Sequence, residues 1–196
     1  ISAAFGPIGI YSVLQPFSDE IGGLPRFLGI QQKANCPMYK SWKSGSENIE
    51  PVDLKTTSRL LTRVMYDAKP HTYATYRDLR EVLHLSNGDL DTIDHQEFEQ
   101  LTSRQLNGGS IMQVLDEHGI RVSIMAGSIV EKTGLIAVAG TLKAIESGRI
   151  REGSRVLCSL TSAVSLADGE AVPERVINTI ADSRAYSLEF RSDQDA

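Results

Sequence analysis

Short apolar runs that suit buried strands alternate along the chain with apolar stripes at the spacing of helices. This alternation constrains the fold more than any other feature, because it favours a parallel sheet whose connecting helices cover both of its faces. We therefore expect a three-layer α/β fold with a mostly parallel sheet. The predicted strands lie at residues 26–31, 90–93, 120–130, 155–160 and 186–190. The predicted helices lie at residues 10–17, 37–42, 60–65, 73–83, 94–101, 111–118, 135–145 and 176–180.

Composition removes several classes of function. The chain has 196 residues, with 20 Lys and Arg against 25 Asp and Glu, and no basic block, so nucleic acid is not expected as its main partner. No apolar run approaches the ~18 residues that a membrane span needs. Cys36 and Cys158 lie far apart and predict a reducing, cytoplasmic location rather than a disulfide framework.

The usual catalytic and metal-binding motifs are missing from the sequence. There is no nucleophile elbow, no phosphate-binding Walker loop and no dinucleotide-binding glycine fingerprint. The histidines lack the spacings that place two imidazoles on one ion, so no metal site is expected. They are His71, His84, His95 and His118.

Residues 5–9, Phe-Gly-Pro-Ile-Gly, supply two glycines and a proline directly ahead of a predicted helix. We interpret them as a sharp turn whose backbone N–H groups meet the positive end of the helix dipole, which suits a phosphate or another anion. The alternative is a plain tight turn. Pro7 argues for that alternative, since it removes one N–H donor.

Several segments together resemble the C-terminal portion of fold-type-II pyridoxal-phosphate enzymes, in the threonine synthase and cysteate synthase branch. Residues 5–9 are similar to the family's cofactor-phosphate loop, and residues 129–134 to the start of its long helix. Gly-Arg-Ile at 148–150 and Leu-Thr at 160–161 resemble its C-terminal run, and Lys-Pro-His-Thr-Tyr at 69–73 is similar to a cysteate synthase linker. The segments occur in the family's order: 5–9, 24–45, 69–94, 129–140 and 148–161.

The resemblance implies a tryptophan-synthase-beta-like fold, present here in part, and pyridoxal 5'-phosphate as the cofactor. It places the cofactor phosphate on the backbone of one set of residues, Phe5, Gly6, Ile8 and Gly9. It places the hydroxyl of Thr161 at the pyridine nitrogen, where a neutral partner favours elimination and replacement chemistry. It places Gln31 and Asn35 near the amino-acid substrate.

The chain departs from the family at the lysine that carries the cofactor. In the family this lysine lies upstream of the glycine loop, in a Ser-x-Lys context, whereas every lysine here lies downstream. Lys43 follows Ser41-Trp42 but stands on the wrong side of the loop, and we reject it. Ser162-Ala163-Val164 also replaces the family's Gly-His-Gly. Residues 1–196 are therefore expected to be a C-terminal cofactor-phosphate domain that lacks the N-terminal catalytic-lysine domain, holds no catalytic residue and is inactive alone.

The expected parent is a lyase or transferase of amino-acid biosynthesis that acts on an O-phospho amino acid by elimination or replacement. Its expected partners are the amino-acid substrate, the N-terminal part of the same enzyme and a second subunit in a homodimer. The alternative is an α/β binding or regulatory domain that has lost the chemistry. A nucleotide-binding Rossmann domain comes third, because its fingerprint is missing.

Overall fold

The computed structural model describes residues 1–52, 54–63, 76–106, 109–117, 120, 122, 124–125, 128–129 and 132–160. The described residues belong to one compact unit, Ile1–Val164, and the second unit, Ser165–Ala196, lies outside them. The helices are α1 (Phe5–Leu14), α2 (Pro37–Ser44), α3 (Tyr76–Leu85), α4 (His95–Thr102), α5 (Ile111–Glu117) and α6 (Thr133–Glu146). The strands are β1 (Leu28–Gln32), β2 (Asp89–Ile93), β3 (Gln105–Leu106), β4 (Gly109–Ser110), β5 (Ile124–Met125) and β6 (Ser128–Ile129).

Strands β1 and β2 form a parallel pair at the centre of the unit, with Leu28 opposite Asp89 and Gln32 opposite Ile93. Because successive side chains in a strand point to opposite faces, the pair presents two separate surfaces. Strands β3 with β4 and β5 with β6 form short antiparallel pairs. The predicted α/β character is thus confirmed, and the described sheets are small and of both kinds.

Helices cover both faces of the central pair. On one face, Ile30 and Ile93 pack with Phe98 of α4 and with residues of α6 such as Leu135. On the other face, Leu90 packs with Met38 of α2 and with residues of α3. Each face of the sheet therefore has its own apolar core, as the buried runs of these two strands predict.

Glycine allows α6 to lie close to β1. A Cβ placed on Gly140 would lie 2.6 Å from Ile30 Cδ1 and 2.9 Å from Ile30 Cγ2, and it would also meet Ile30 Cγ1. Real Cβ atoms essentially never approach this closely. The Gly140 position is therefore set by close helix–sheet packing rather than by turn geometry.

The helix predicted at 60–65 is wrong for residues 60–63, which are not helical. A 3-10 helix, Leu54–Arg59, lies ahead of them. The Gln32 side chain binds backbone groups of the residues that follow this 3-10 helix. Its Oε1 accepts from Leu61 N at 2.9 Å, and its Nε2 donates to Thr62 O at 3.0 Å. Leu61 is buried in the core, so the apolar pattern reports burial here and not helix.

The buried strand predicted at 155–160 is also wrong. These residues pair with no strand in the described part of the chain, and Leu157 is 98% exposed. The outward edge of β2 is already satisfied, because Leu90 N and Thr92 N donate to the carboxylates of Asp89 and Asp91, both at distances below 3 Å. Thr92 O accepts from the Lys143 ammonium at 2.8 Å.

Other predicted elements differ in extent. The apolar stretch at 120–130, which is predicted to hold at least one strand, contains the two short strands β5 and β6. Helix α1 begins at Phe5, earlier than predicted, and a 3-10 turn, Gln15–Phe17, follows it. The elements predicted at 176–180 and 186–190 lie outside the described residues. Among those that are described, no helix is both long and apolar enough to cross a membrane.

The spacing of Asp94 and Glu97 in the sequence predicts a capping box with Asp as the cap. The structure confirms this box at the start of α4, and it gives a testable result. Asp94 Oδ1 accepts from Glu97 N at 2.9 Å, and Glu97 Oε2 accepts from Asp94 N at 3.0 Å. The Glu97 N–H, aided by the Lys33 ammonium, holds the pKa of the Asp94 carboxyl below its usual value. We expect Asp94→Ala to lower the free energy of unfolding by about 1 kcal/mol at neutral pH.

That loss should depend on pH in one direction. A carboxyl whose pKa is lowered on folding stabilises the folded chain above its unfolded pKa of about 4, and this stabilisation disappears as pH falls through the lowered value. Urea unfolding at neutral pH and near pH 3 should therefore show the Asp94→Ala deficit shrinking in acid. Asp19→Ala, at an exposed acidic residue, is the control. A deficit that stays constant with pH would contradict the role of the Asp94 charge.

Candidate functional site

The start of α1 differs from the turn expected at residues 5–9, because these residues are already helical. The sharp bend lies one residue earlier, at Ala4, whose φ of 63° and ψ of 17° are left-handed. A left-handed residue followed by helical ones directs successive N–H groups into one concave site that suits an anion. No side chain caps this end, and the first turn of α1 has no acidic residue.

The residues predicted to hold the cofactor phosphate fall into two groups. The N–H groups at the start of a helix have no acceptor within the helix, and those of Phe5 and Gly6 belong to this set. Pro7 has no N–H. Ile8 N already donates to Ala4 O at 3.1 Å, and helix geometry directs the N–H of Gly9 to the preceding turn. Phe5 and Gly6 are therefore the two residues of the predicted set that offer unengaged donors.

Space is available around the two glycines at the start of α1. A Cβ placed on Gly6 or Gly9 would meet no atom within 4 Å, and Phe5 is 61% exposed. The residues ahead of α1 are by contrast anchored, because the Ile1 amino group donates to Ile30 O of β1. Ala4 shares an apolar cluster with Met38 of α2, so the starts of α1 and α2 lie on the same face of the sheet.

The two predicted substrate residues lie at the carboxyl end of β1 and in the turn after it. Both are buried, Gln31 at 2% exposure and Asn35 at 7%. Gln31 Oε1 accepts from Tyr39 N at 2.9 Å and so holds the first turn of α2. The carboxyl ends of parallel strands are the usual location of ligand sites in α/β folds. Thr161, the third kind of predicted contact, lies outside the described residues.

The segment at 54–62 covers this turn, a feature that the sequence did not indicate. Thr56 Oγ1 donates to Ala34 O at 2.6 Å. Gln32, the last residue of β1, bonds to the backbone of Leu61 and Thr62. We call these bonds of Thr56 and Gln32 the clamp. The sequence signal for the clamp is weak, because a glutamine at the end of a strand can form many kinds of hydrogen bond.

Cys36 lies at the start of α2 and is buried. Burial raises the pKa of its thiol, and the ammonium groups of Lys40 and Lys33 oppose that rise only in part. The sequence did not reveal these two cationic neighbours. A protonated, buried thiol is a poor nucleophile, so the geometry gives Cys36 a packing role.

The lysines of the sheet region are held in ion pairs. Lys43 Nζ lies 2.7 Å from Asp89 Oδ1, at the amino end of β2 and away from the turns that follow the strands. Lys143 Nζ lies 2.6 Å from Glu97 Oε1 and 3.6 Å from Asp91 Oδ1. Both ammonium groups are therefore held against carboxylates of the sheet region.

Within the described ranges, no group of three His, Cys, Asp or Glu side chains is placed to hold a metal ion. Comparison of the chain with models of protein families and with curated protein sequences gives no match.

Proposed function

We propose that this chain is the cofactor-phosphate half of a pyridoxal-phosphate enzyme that acts on an O-phospho amino acid by elimination or replacement. The observation that carries the proposal is the uncapped, acid-free start of α1 behind the left-handed Ala4. The resemblance of the sequence to the threonine synthase and cysteate synthase branch supplies the identity of the cofactor.

The residues at this end fit a phosphate group. Phe5 and Gly6 offer N–H donors along the helix axis, where the helix dipole favours negative charge. The open space at Gly6 leaves room for phosphate oxygens next to the backbone. When bound, the cofactor supplies an electron-withdrawing ring for chemistry at the amino acid. Gln31 and Asn35 lie just ahead of α2, whose start is on the same face of the sheet as the start of α1. They would orient the amino acid.

Covalent catalysis would depend on the lysine that the family carries upstream of its glycine loop, whereas every lysine of this chain lies downstream of residues 5–9. Lys43 and Lys143 form ion pairs with Asp89 and Glu97. We therefore propose that the catalytic lysine belongs to another part of the parent enzyme, which would be a cytoplasmic homodimer. The free cysteines, Cys36 and Cys158, agree with that compartment.

Binding of the cofactor to the 196-residue chain tests the proposal. We expect pyridoxal phosphate to bind without a covalent bond and pyridoxal, which lacks the phosphate, to bind at least ~10-fold more weakly, because the donors at α1 recognise the phosphate. Gly6→Glu should weaken the binding of pyridoxal phosphate by a similar factor, since the introduced carboxylate repels the phosphate and competes for the N–H donors. Equilibrium dialysis gives the affinities.

Ser12→Glu is the matched control, since it adds the same charge at an exposed position farther along α1. It should leave binding within about twofold. Equal binding of pyridoxal and pyridoxal phosphate would contradict the phosphate site, and no binding of either would favour the binding or regulatory domain. Borohydride reduction that adds the cofactor mass to a lysine of this chain would contradict its predicted inactivity.

A further inference from the structure

Four exposed or half-buried cationic residues belong to the two segments that form and cover the turn at the carboxyl end of β1. We call Lys33, Lys40, Arg59 and Arg63 the cationic rim. Lys33 lies in the turn itself, and Lys40 lies one helical turn after Cys36, whose O accepts from Lys40 N at 3.0 Å. Arg59 and Arg63 flank the short stretch whose backbone Gln32 holds. The rim is therefore assembled from two separate segments of the chain.

The segment that carries the arginines is fixed over the turn. Thr56 Oγ1 donates to Ala34 O at 2.6 Å, and Gln32 bonds to Leu61 N at 2.9 Å. Bonds on both sides of Arg59 thus hold its backbone near Gln32 and Ala34. A charge on a held backbone has a smaller ordering cost when a ligand binds than a charge on a free loop.

The charge of the rim contrasts with the rest of the chain. The chain has a net charge of −5, yet residues 54–63 contain three cationic and no acidic residues. Lys40, Arg59 and Arg63 form no ion pair with any residue that the structure describes. Lys33 is paired with Asp94 at 3.1 Å, and Glu97 also lies near its ammonium group. Among the described residues, the rim therefore has three cations that are open to an anionic ligand.

We propose that the cationic rim binds a phosphate monoester dianion, and that its source is the phosphate of the amino-acid substrate. The guanidinium forks of Arg59 and Arg63 match phosphate oxygens in two-point contacts, and Lys40 adds a point charge. The source of the dianion rests on the proposed function; binding of phosphate by the rim does not. The rim differs from the start of α1, which would hold the cofactor phosphate through backbone N–H groups.

Titration of the 196-residue chain, without cofactor, tests this proposal. We expect O-phosphoserine to bind more tightly than inorganic phosphate, and serine to bind not at all. Arg59→Gln and Arg63→Gln should each weaken O-phosphoserine by about five- to tenfold. Arg151→Gln, which removes an exposed cation beyond the end of α6, should change affinity less than twofold. Calorimetry gives the affinities, and circular dichroism checks that the variants are folded.

The outcomes separate the rim from the proposed function. Absence of O-phosphoserine binding, or binding that Arg59→Gln and Arg63→Gln leave unchanged, would overturn the rim. Equal binding of inorganic phosphate and O-phosphoserine would keep the phosphate site but overturn the substrate as its source. Since the titration contains no cofactor, its result does not depend on whether the start of α1 binds pyridoxal phosphate.

Discussion

Gly140→Val is expected to destabilise the chain by about 3 kcal/mol, at the upper end of the range for overpacked cores. The reason is the lack of space between α6 and β1, where even a Cβ would lie 2.6 Å from Ile30 Cδ1. Ile30 is 7% exposed and cannot turn out to solvent without leaving the core. Helix α6 must therefore shift away from the sheet. Leu135 and Ala139 move with the helix and lose packing contacts in the core. Urea unfolding followed by circular dichroism measures the loss.

Gly9→Ala is the matched control, since Gly9 also lies inside a helix but has no atom within 4 Å of its Cβ position. Removing a helical glycine there should leave stability unchanged or raise it by up to about 1 kcal/mol. Combining Gly140→Val with Ile30→Ala should cost less than the sum of the two single changes, because the smaller side chain makes room. Additive losses, or a Gly140→Val chain as stable as wild type, would contradict the close packing of α6.

Asp91→Asn should cost about 3 kcal/mol, near the low end for breaking a buried ion pair. The Asp91 side chain is 11% exposed and bonds to Arg149, while Lys143 lies 3.6 Å away. Losing the carboxylate leaves Lys143 with Glu97 as its partner and Arg149 with the carboxylate of Asp89, which lies 4.0 Å away. Because Arg149 follows α6 and Asp91 lies on β2, the change should loosen the end of α6 against the sheet.

The exposed pair of Lys33 and Asp94 supplies the comparison. The Lys33 side chain is 61% exposed, so Lys33→Met should cost less than about 1 kcal/mol. Hydrogen exchange should show faster opening of the last turn of α6 in Asp91→Asn and not in Lys33→Met. Equal losses of stability in the two variants would show that burial does not strengthen the Asp91 contacts.

The sequence predicted the elements whose apolar pattern and burial agree. Strands β1 and β2, helix α3 and the capping box of α4 all lie within a few residues of their predicted places. The apolar pattern did not predict the structure where hydrogen bonds of polar groups determine it. Residues 155–160 have a strand-like composition, but the carboxylates of Asp89 and Asp91 already satisfy the N–H groups on the outward edge of β2.

The site was harder to predict than the fold. The bend ahead of α1 lies at Ala4, and alanine gives no sequence signal for a left-handed conformation. The clamp over the turn depends on Gln32 and Thr56, which are 24 residues apart and belong to no motif. Contacts of this kind follow from tertiary packing, so a local pattern cannot reveal them.

The proposed cofactor-phosphate site is tested most directly by a map of the backbone amides that respond to the cofactor. Nitrogen-15 NMR of the 196-residue chain would be recorded during titration with pyridoxal phosphate and, separately, with pyridoxal. We expect pyridoxal phosphate to shift the amides of Phe5 and Gly6 most strongly and pyridoxal not to shift them. Shifts that avoid the start of α1, or that are the same for both compounds, would contradict the proposal that this chain is a cofactor-phosphate domain.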